Sequence, residues 1–311
     1  MQQTDNANME VTVVKIPNVS QEVRIGYSFN YMIKVIDETK TAVGDVYWDF
    51  TDVSYLHPFF IAPLAIYKNS SEKHIQCINI SLQLQSYLNS ICFDRLFHFG
   101  NEKKEIVESV LQKYTEKTYI PVCSFAMTNS NKDIFGSVIR NVIVKQTNIS
   151  NGGFSSLSYL ISELLDNIFE HSQSPNGFIY SQFIKSENAI DLCIGDVGIS
   201  VFGSFKKSNL YQQEIDGNEA EALRLANEGY SSKNRPEAEN RGYGISTSKV
   251  MLVRGMKGAF FMLSGAAFHR YENNANIYID LQNVFRWNGT IILMRIPTQI
   301  PENFNYIDYL E

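Results

Sequence analysis

The chain is poor in cysteine and in clustered positive charge. Its four cysteines, Cys77, Cys92, Cys123 and Cys193, are widely spaced. They read as buried, reduced thiols, which excludes a disulfide frame and a zinc site. No basic run is longer than a pair, and the net charge is −6. A surface built to follow a phosphate backbone is thereby excluded, and no nucleic-acid partner is expected. No apolar run reaches membrane-spanning length, and the polar stretch Met1–Glu10 lacks the basic and apolar regions of a signal peptide. The expectation is a cytoplasmic protein with no membrane partner. Phe and Tyr are numerous, but without a basic groove beside them they are expected in cores and on sheet faces, not as a base-stacking platform.

What is present is enough apolar material for proper cores, 44% of 311 residues, and a length that allows one large or two ordinary domains. From Val11 to about Phe99 strand-like and helix-like patterns alternate. Val11–Ile16, Asp45–Phe50 and Ile75–Ile80 read as strands, Tyr27–Val35 is mixed, and Ile61–Tyr67 and Gln83–Ser90 read as helices. That order predicts a small α/β layer fold over residues 1–110. A charged, helix-like connector, Asn101–Lys117, leads into a second domain, 111–311, which opens with a strand at Thr118–Phe125 and an amphipathic helix at Ile134–Val144.

Three motifs dominate the second domain. In Leu157–His171 the apolar positions Leu157, Leu160, Ile161, Leu164, Leu165 and Ile168 recur at helical spacing, which aligns Glu163, Asn167 and the Glu170/His171 pair on another face. A carboxylate and an amide one turn apart suit metal-assisted phosphate chemistry, although a solvated helix face has the same appearance. Asp196 and Gly198 follow the apolar run Ala189–Ile194, at the end of a strand. Such a carboxylate can select adenine through its exocyclic amine, and the glycine lets the backbone approach a base; a plain turn is the other reading. Gly242, Tyr243 and Gly244 open the next helical pattern, where free backbone N–H groups make an anion site.

In this order the three motifs resemble the N, G1 and G2 boxes of the GHKL superfamily, the ATP-binding fold shared by sensor histidine kinases, type II topoisomerases, MutL and anti-sigma-factor kinases. The resemblance covers roughly the second half of the chain. It implies Glu163 as general base, Asn167 as Mg2+ ligand, Asp196 as adenine selector, and Gly242 and Gly244 as phosphate loop. Thr290, in Asn288–Arg295, resembles the family's closing-strand Thr, which works with the Asp near adenine. Gly229–Lys233 resembles a lid segment of anti-sigma-type members. The second glycine of the usual G1 box is Ser200 here, a departure that bears on turnover more than on binding.

Between the boxes, Val201–Asn240 reads as a long, polar, structure-poor segment holding one short helix, Glu219–Ala226. It is expected to fold over ATP as a lid, with Lys233, Arg235 or Arg241 available to the phosphates. Near the end of the chain, Asn276–Leu281 and Thr290–Ile296 read as a strand pair joined around Asn288-Gly289. In the first domain, Val46–Ile61 resembles the central strand-loop-helix of a STAS domain, with His57, Pro58, Phe59 and Phe60 where that family carries its phosphoacceptor serine. A docking domain is the implied role. Neither His57 nor His98 lies in the heptad pattern a phosphoaccepting histidine requires.

The fold expected from these readings is a STAS-like α/β domain followed by a GHKL-type (Bergerat) α/β sandwich with a mixed sheet. The expected function is that of a Mg-ATP-binding regulatory ATPase or Ser/Thr protein kinase acting with a partner protein; a homodimer is compatible with it. The alternative is a non-hydrolysing switch in which ATP changes affinity for a partner.

Overall fold

The computed structural model describes residues 11–19, 25–147, 149, 151–232, 243–302 and 304–309. Two compact units emerge, Met1–Leu96 and Phe97–Glu311.

The first unit runs β1 (Val11–Lys15), α1 (Ile25–Thr41), β2 (Asp45–Asp49), α2 (Pro58–Ser70), β3 (Ile75–Ile78) and α3 (Leu82–Ser90). Its three strands form a parallel sheet in the order β1-β2-β3. Trp48 on β2 is wholly buried, and its indole N–H donates to Thr39 Oγ1 at 2.8 Å. The stretch read as mixed is all helix in α1, where buried Phe29, Met32, Val35 and Ile36 fall at helical spacing. His57 caps α2: its Nδ1 accepts from the Phe59 N–H at 3.1 Å, and Pro58 takes the first helical position, where no N–H is needed. That cap accounts for a buried histidine without any phosphoryl chemistry.

The second unit begins with β4 (Phe97–Phe99), α4 (Lys104–Leu111), β5 (Tyr119–Ala126), α5 (Asn129–Thr147), α6 (Asn151–His171), β6 (Asn176–Ile184) and β7 (Ala189–Asp196). It continues with α7 (Val201–Ser208), α8 (Gln212–Ile215), α9 (Glu219–Asn227), α10 (Tyr243–Val250), β8 (Ala259–Gly265), β9 (Ala267–Glu272), β10 (Ala275–Asp280) and β11 (Trp287–Pro297). The expected boundary at 110/111 falls inside α4. The division comes at Leu96/Phe97 because β4 pairs with β5, while Val107 and Leu111 are buried in the second unit's core.

Eight strands make a mixed sheet in the order β10-β9-β8-β11-β7-β6-β5-β4, antiparallel except for the parallel pair β4/β5. The apolar stripe Leu157, Leu160, Ile161, Leu164, Leu165 and Ile168 of α6 is buried in the core shared with α5, α10 and the sheet. That leaves Glu163 and Asn167 half-buried at the edge of the stripe.

Two expectations are corrected here. Asn288-Gly289 is no hairpin turn, and β10 pairs with β9 rather than with β11. Gly289 has φ +89° and sits where the β11/β8 register shifts between Trp287 and Thr290, so the Asn-Gly signal marks a bulge inside a long strand. Residues 201–227 are not structure-poor either. Phe205, Ile215, Ala222 and Leu225 bury one another in a small cluster of their own. Ser200 Oγ and Asn218 Oδ1 cap α7 and α9.

Candidate functional site

Three adjacent strands, β8, β11 and β7, bring the site together. In the β11/β7 ladder Ile291 faces Gly195, which sets Thr290 beside Asp196; in the β11/β8 ladder Thr290 faces Ser264. Asp196 is 1% exposed. Its Oδ1 accepts from the Gly198 N–H at 2.8 Å, and its backbone carbonyl accepts from the Trp287 indole N–H at 3.1 Å. Burial pushes its carboxyl up to about 7, against the downward pull of hydrogen bonds from the Gly198 and Thr290 backbones. An ionised carboxylate is costly in so buried a place, and the two backbone donors offset only part of that cost.

The loop after β7 is clamped onto the end of α6. Ile199 N–H donates to the Ser172 carbonyl at 2.7 Å, and a Cβ built at Gly198 would lie 2.9 Å from both the Ser172 carbonyl carbon and the Ser174 nitrogen. Those are backbone atoms, which cannot swing aside, so only glycine fits. This close approach joins Asp196 to the helix that carries Glu163 and Asn167.

On α6, the Asn167 amide Nδ2 donates to the Glu163 carbonyl one turn earlier, at 2.6 Å. The amide is thereby held, with its oxygen left as the atom that a hard cation would use. Burial, then the like charges of Asp166 and Glu170, raise the Glu163 carboxyl above its ordinary range. One turn beyond Asn167, His171 Nδ1 shares a 3.2 Å hydrogen bond with Ser232 Oγ, which in turn lies 2.7 Å from Ser204 Oγ on α7.

A cleft, open at its mouth, lies between these elements, with room for water-sized spheres over about 80 Å³. Asn167, His171, Asp196, Ser204, Ser232 and Thr290 line it together with apolar side chains that include Phe205, Ile245 and Met262. Its mostly apolar walls with a few polar groups are those of a small-molecule site. Glu163 does not line the cleft; it stands one turn from Asn167 and packs against Gly244, in the first turn of α10. Gly198 lies in the loop below it.

Of the site residues read from sequence, Glu163, Asn167, Asp196, Gly198, Gly244 and Thr290 thus gather at one end of the sheet. Tyr243 begins α10. Lys233, Arg235, Arg241 and Gly242 lie outside the described residues. Among the described residues no group of His, Cys, Asp and Glu side chains could hold a metal ion, and no helix is long and apolar enough to cross a membrane. The four cysteines are free thiols; Cys123 and Cys193 are buried, whereas Cys77 and Cys92 are only partly so.

Sequence reasoning missed Ser264 and Trp287. A lone serine within an apolar strand carries no motif, and the indole contact depends on a bulge that read as a turn. Compared with protein-family models and with curated proteins, the chain matches none.

Proposed function

We propose that the second unit binds Mg-ATP as a GHKL-type domain does, and that it uses the nucleotide as a regulatory ATPase or as a Ser/Thr protein kinase acting on a partner protein. The observation that carries this reading is the convergence of Asn167, Asp196 and Thr290 on one cleft, from segments far apart in sequence. Asp196 accepts the exocyclic amine of adenine. The Asn167 amide oxygen would hold Mg2+ together with the phosphates, an ion that neutralises charge on the transferring phosphoryl group. Glu163, its carboxyl raised, takes a proton from an attacking water or hydroxyl. Gly244 gives α10 a first turn without a side chain on the Glu163 side, beside the backbone N–H groups of a helix start. The first unit, in this reading, is a STAS-like docking domain without an acceptor serine.

One feature favours the second reading, a switch that binds ATP without consuming it. Ser200, where the G1 box usually has glycine, is 8% exposed and caps α7 by accepting from the Gly203 N–H at 3.1 Å. The cap stabilises the start of α7, and the Val201 N–H, donating to Ser264 Oγ at 2.8 Å, ties that start to β8, so α7 moves less readily between turnovers.

The test is a titration of the purified chain with ATP, ADP and GTP, with and without Mg2+, with hydrolysis followed in the same samples. Binding of ATP over GTP with Mg2+-dependent affinity supports the nucleotide reading, and turnover separates enzyme from switch. Absence of ATP binding at millimolar nucleotide overturns both.

A further inference from the structure

We infer that Ser264 is a specificity-determining positioning residue: it turns Thr290 into a hydrogen-bond donor, so that the cleft offers a ligand one acceptor, Asp196, beside one donor. The inference rests on the nucleotide reading and deepens it. It follows from counting protons. Ser264 is 2% exposed, and its Oγ accepts from the Val201 N–H at 2.8 Å, at the start of α7. It has a single proton to give and two acceptors near it, Thr290 Oγ1 at 2.8 Å and the Gly289 carbonyl at 3.5 Å. Hydroxyl hydrogen bonds centre near 2.7–2.8 Å and are weak by 3.5 Å, so the Ser264 proton goes to Thr290. Thr290 Oγ1 is then an acceptor toward Ser264, and its own proton has no acceptor among the described residues. Thr290 lines the cleft, where that proton is available to a ligand.

An acceptor beside a donor is the complement of an amine next to a ring nitrogen, which is the edge adenine presents. Guanine offers a carbonyl oxygen in place of the amine, and this would meet the Asp196 carboxylate. A hydroxyl alone would not discriminate, because it rotates to suit either partner. Ser264 removes that freedom. Because it also holds the Val201 N–H, the same residue ties base recognition to the start of α7.

The experiment measures competition by ATP, GTP, 1-deaza-ATP and 7-deaza-ATP for the parent, Ser264→Ala, Ser264→Cys and Thr290→Val chains. For the parent, one of the two deaza nucleotides should bind about tenfold more weakly than ATP, the size of one hydrogen bond. Ser264→Ala frees the Thr290 hydroxyl to turn, and should shrink that penalty several-fold while narrowing the preference for ATP over GTP. In Thr290→Val the penalty should vanish. Ser264→Cys fills the same space with a weak donor and should fall between parent and Ser264→Ala, which keeps the test open if the alanine chain folds poorly. Equal binding of ATP and both deaza nucleotides to the parent overturns the inference and leaves the nucleotide reading standing. So does a full penalty retained in Ser264→Ala, or in Ser264→Cys if the alanine chain does not fold. If the parent binds no ATP at all, the nucleotide reading falls first and this inference with it.

Discussion

Gly244 and Glu163 occupy each other's space: a Cβ built at Gly244 would lie 2.8 Å from the Glu163 Cδ and closer still to its Oε2. With α10 this close to α6, the Glu163 carboxylate keeps its place only while residue 244 has no side chain. Gly244→Ala should push the Glu163 carboxylate aside. Alanine favours a helix by about 1 kcal/mol over glycine, so the helix itself should not suffer. Turnover is expected to fall at least about tenfold, in line with partial loss of a general base, while the melting temperature stays near that of the parent. Initial rates and thermal melts on the same preparations check it; unchanged turnover would remove Glu163 from the chemistry.

Glu163 and Asn167 should fail in different ways when truncated. If Asn167 holds Mg2+ as proposed, Asn167→Ala removes that contact, so Mg-ATP binding should weaken while metal-free adenosine binding stays nearly intact. Glu163→Ala should leave ATP affinity in place and lower turnover by about 100- to 10,000-fold. Calorimetry with and without Mg2+, beside single-turnover rates, separates the two.

Asp196 should make both stability and the proposed binding depend on pH, in opposite directions. With its carboxyl pushed up to about 7 from 3.8, the folded chain holds a proton that the unfolded chain has released. The protonated form's stabilising contribution is complete below 3.8 and is lost as pH rises through about 7. Amine recognition needs the carboxylate, so ATP affinity should rise with pH up to about 7 and then level off. Asp196→Asn should bind ATP about one to two decades more weakly, yet melt a few degrees higher than the parent at pH 8 and about equally at pH 4. A parent whose ATP affinity is flat between pH 5 and 8 would contradict the assignment.

Gly198→Ala tests the clamp between the loop after β7 and the end of α6. The added methyl meets the backbone of Ser172 and Ser174, so the expected cost is about 3 kcal/mol, the upper part of the range for overpacking. Denaturant unfolding measures it. A loss under about 0.5 kcal/mol, typical of surface changes, would show that the clamp yields.

Legibility followed the kind of signal each element carries. Helix α6 could be read because its apolar residues are many and regularly spaced, and β7 because Ala189–Ile194 is an apolar run ending in a charge. Helix α7 could not, since its fold-stabilising apolar contact is Phe205 against Ile215, Ala222 and Leu225, one or two residues from each element. The Asn288-Gly289 pair reads as a hairpin joint, but its left-handed glycine serves a bulge as well as a hairpin; only the pairing of β10 with β9 tells them apart. Individual residues of the cleft were legible as types. Their meeting was legible only through a family pattern, because spacing along a chain does not say which strands become neighbours.

The bulge in β11 has a spectroscopic consequence. At its start the Trp287 indole N–H bonds to the carbonyl of Asp196, which couples a fluorophore to the residue proposed to read the base. The chain has one other tryptophan, Trp48, in the first unit. In a Trp48→Phe chain all indole emission would come from the side chain bonded to Asp196, a residue that lines the cleft. Any movement of the β7 end on loading would then change the intensity or colour of that emission, without an attached dye and without turnover.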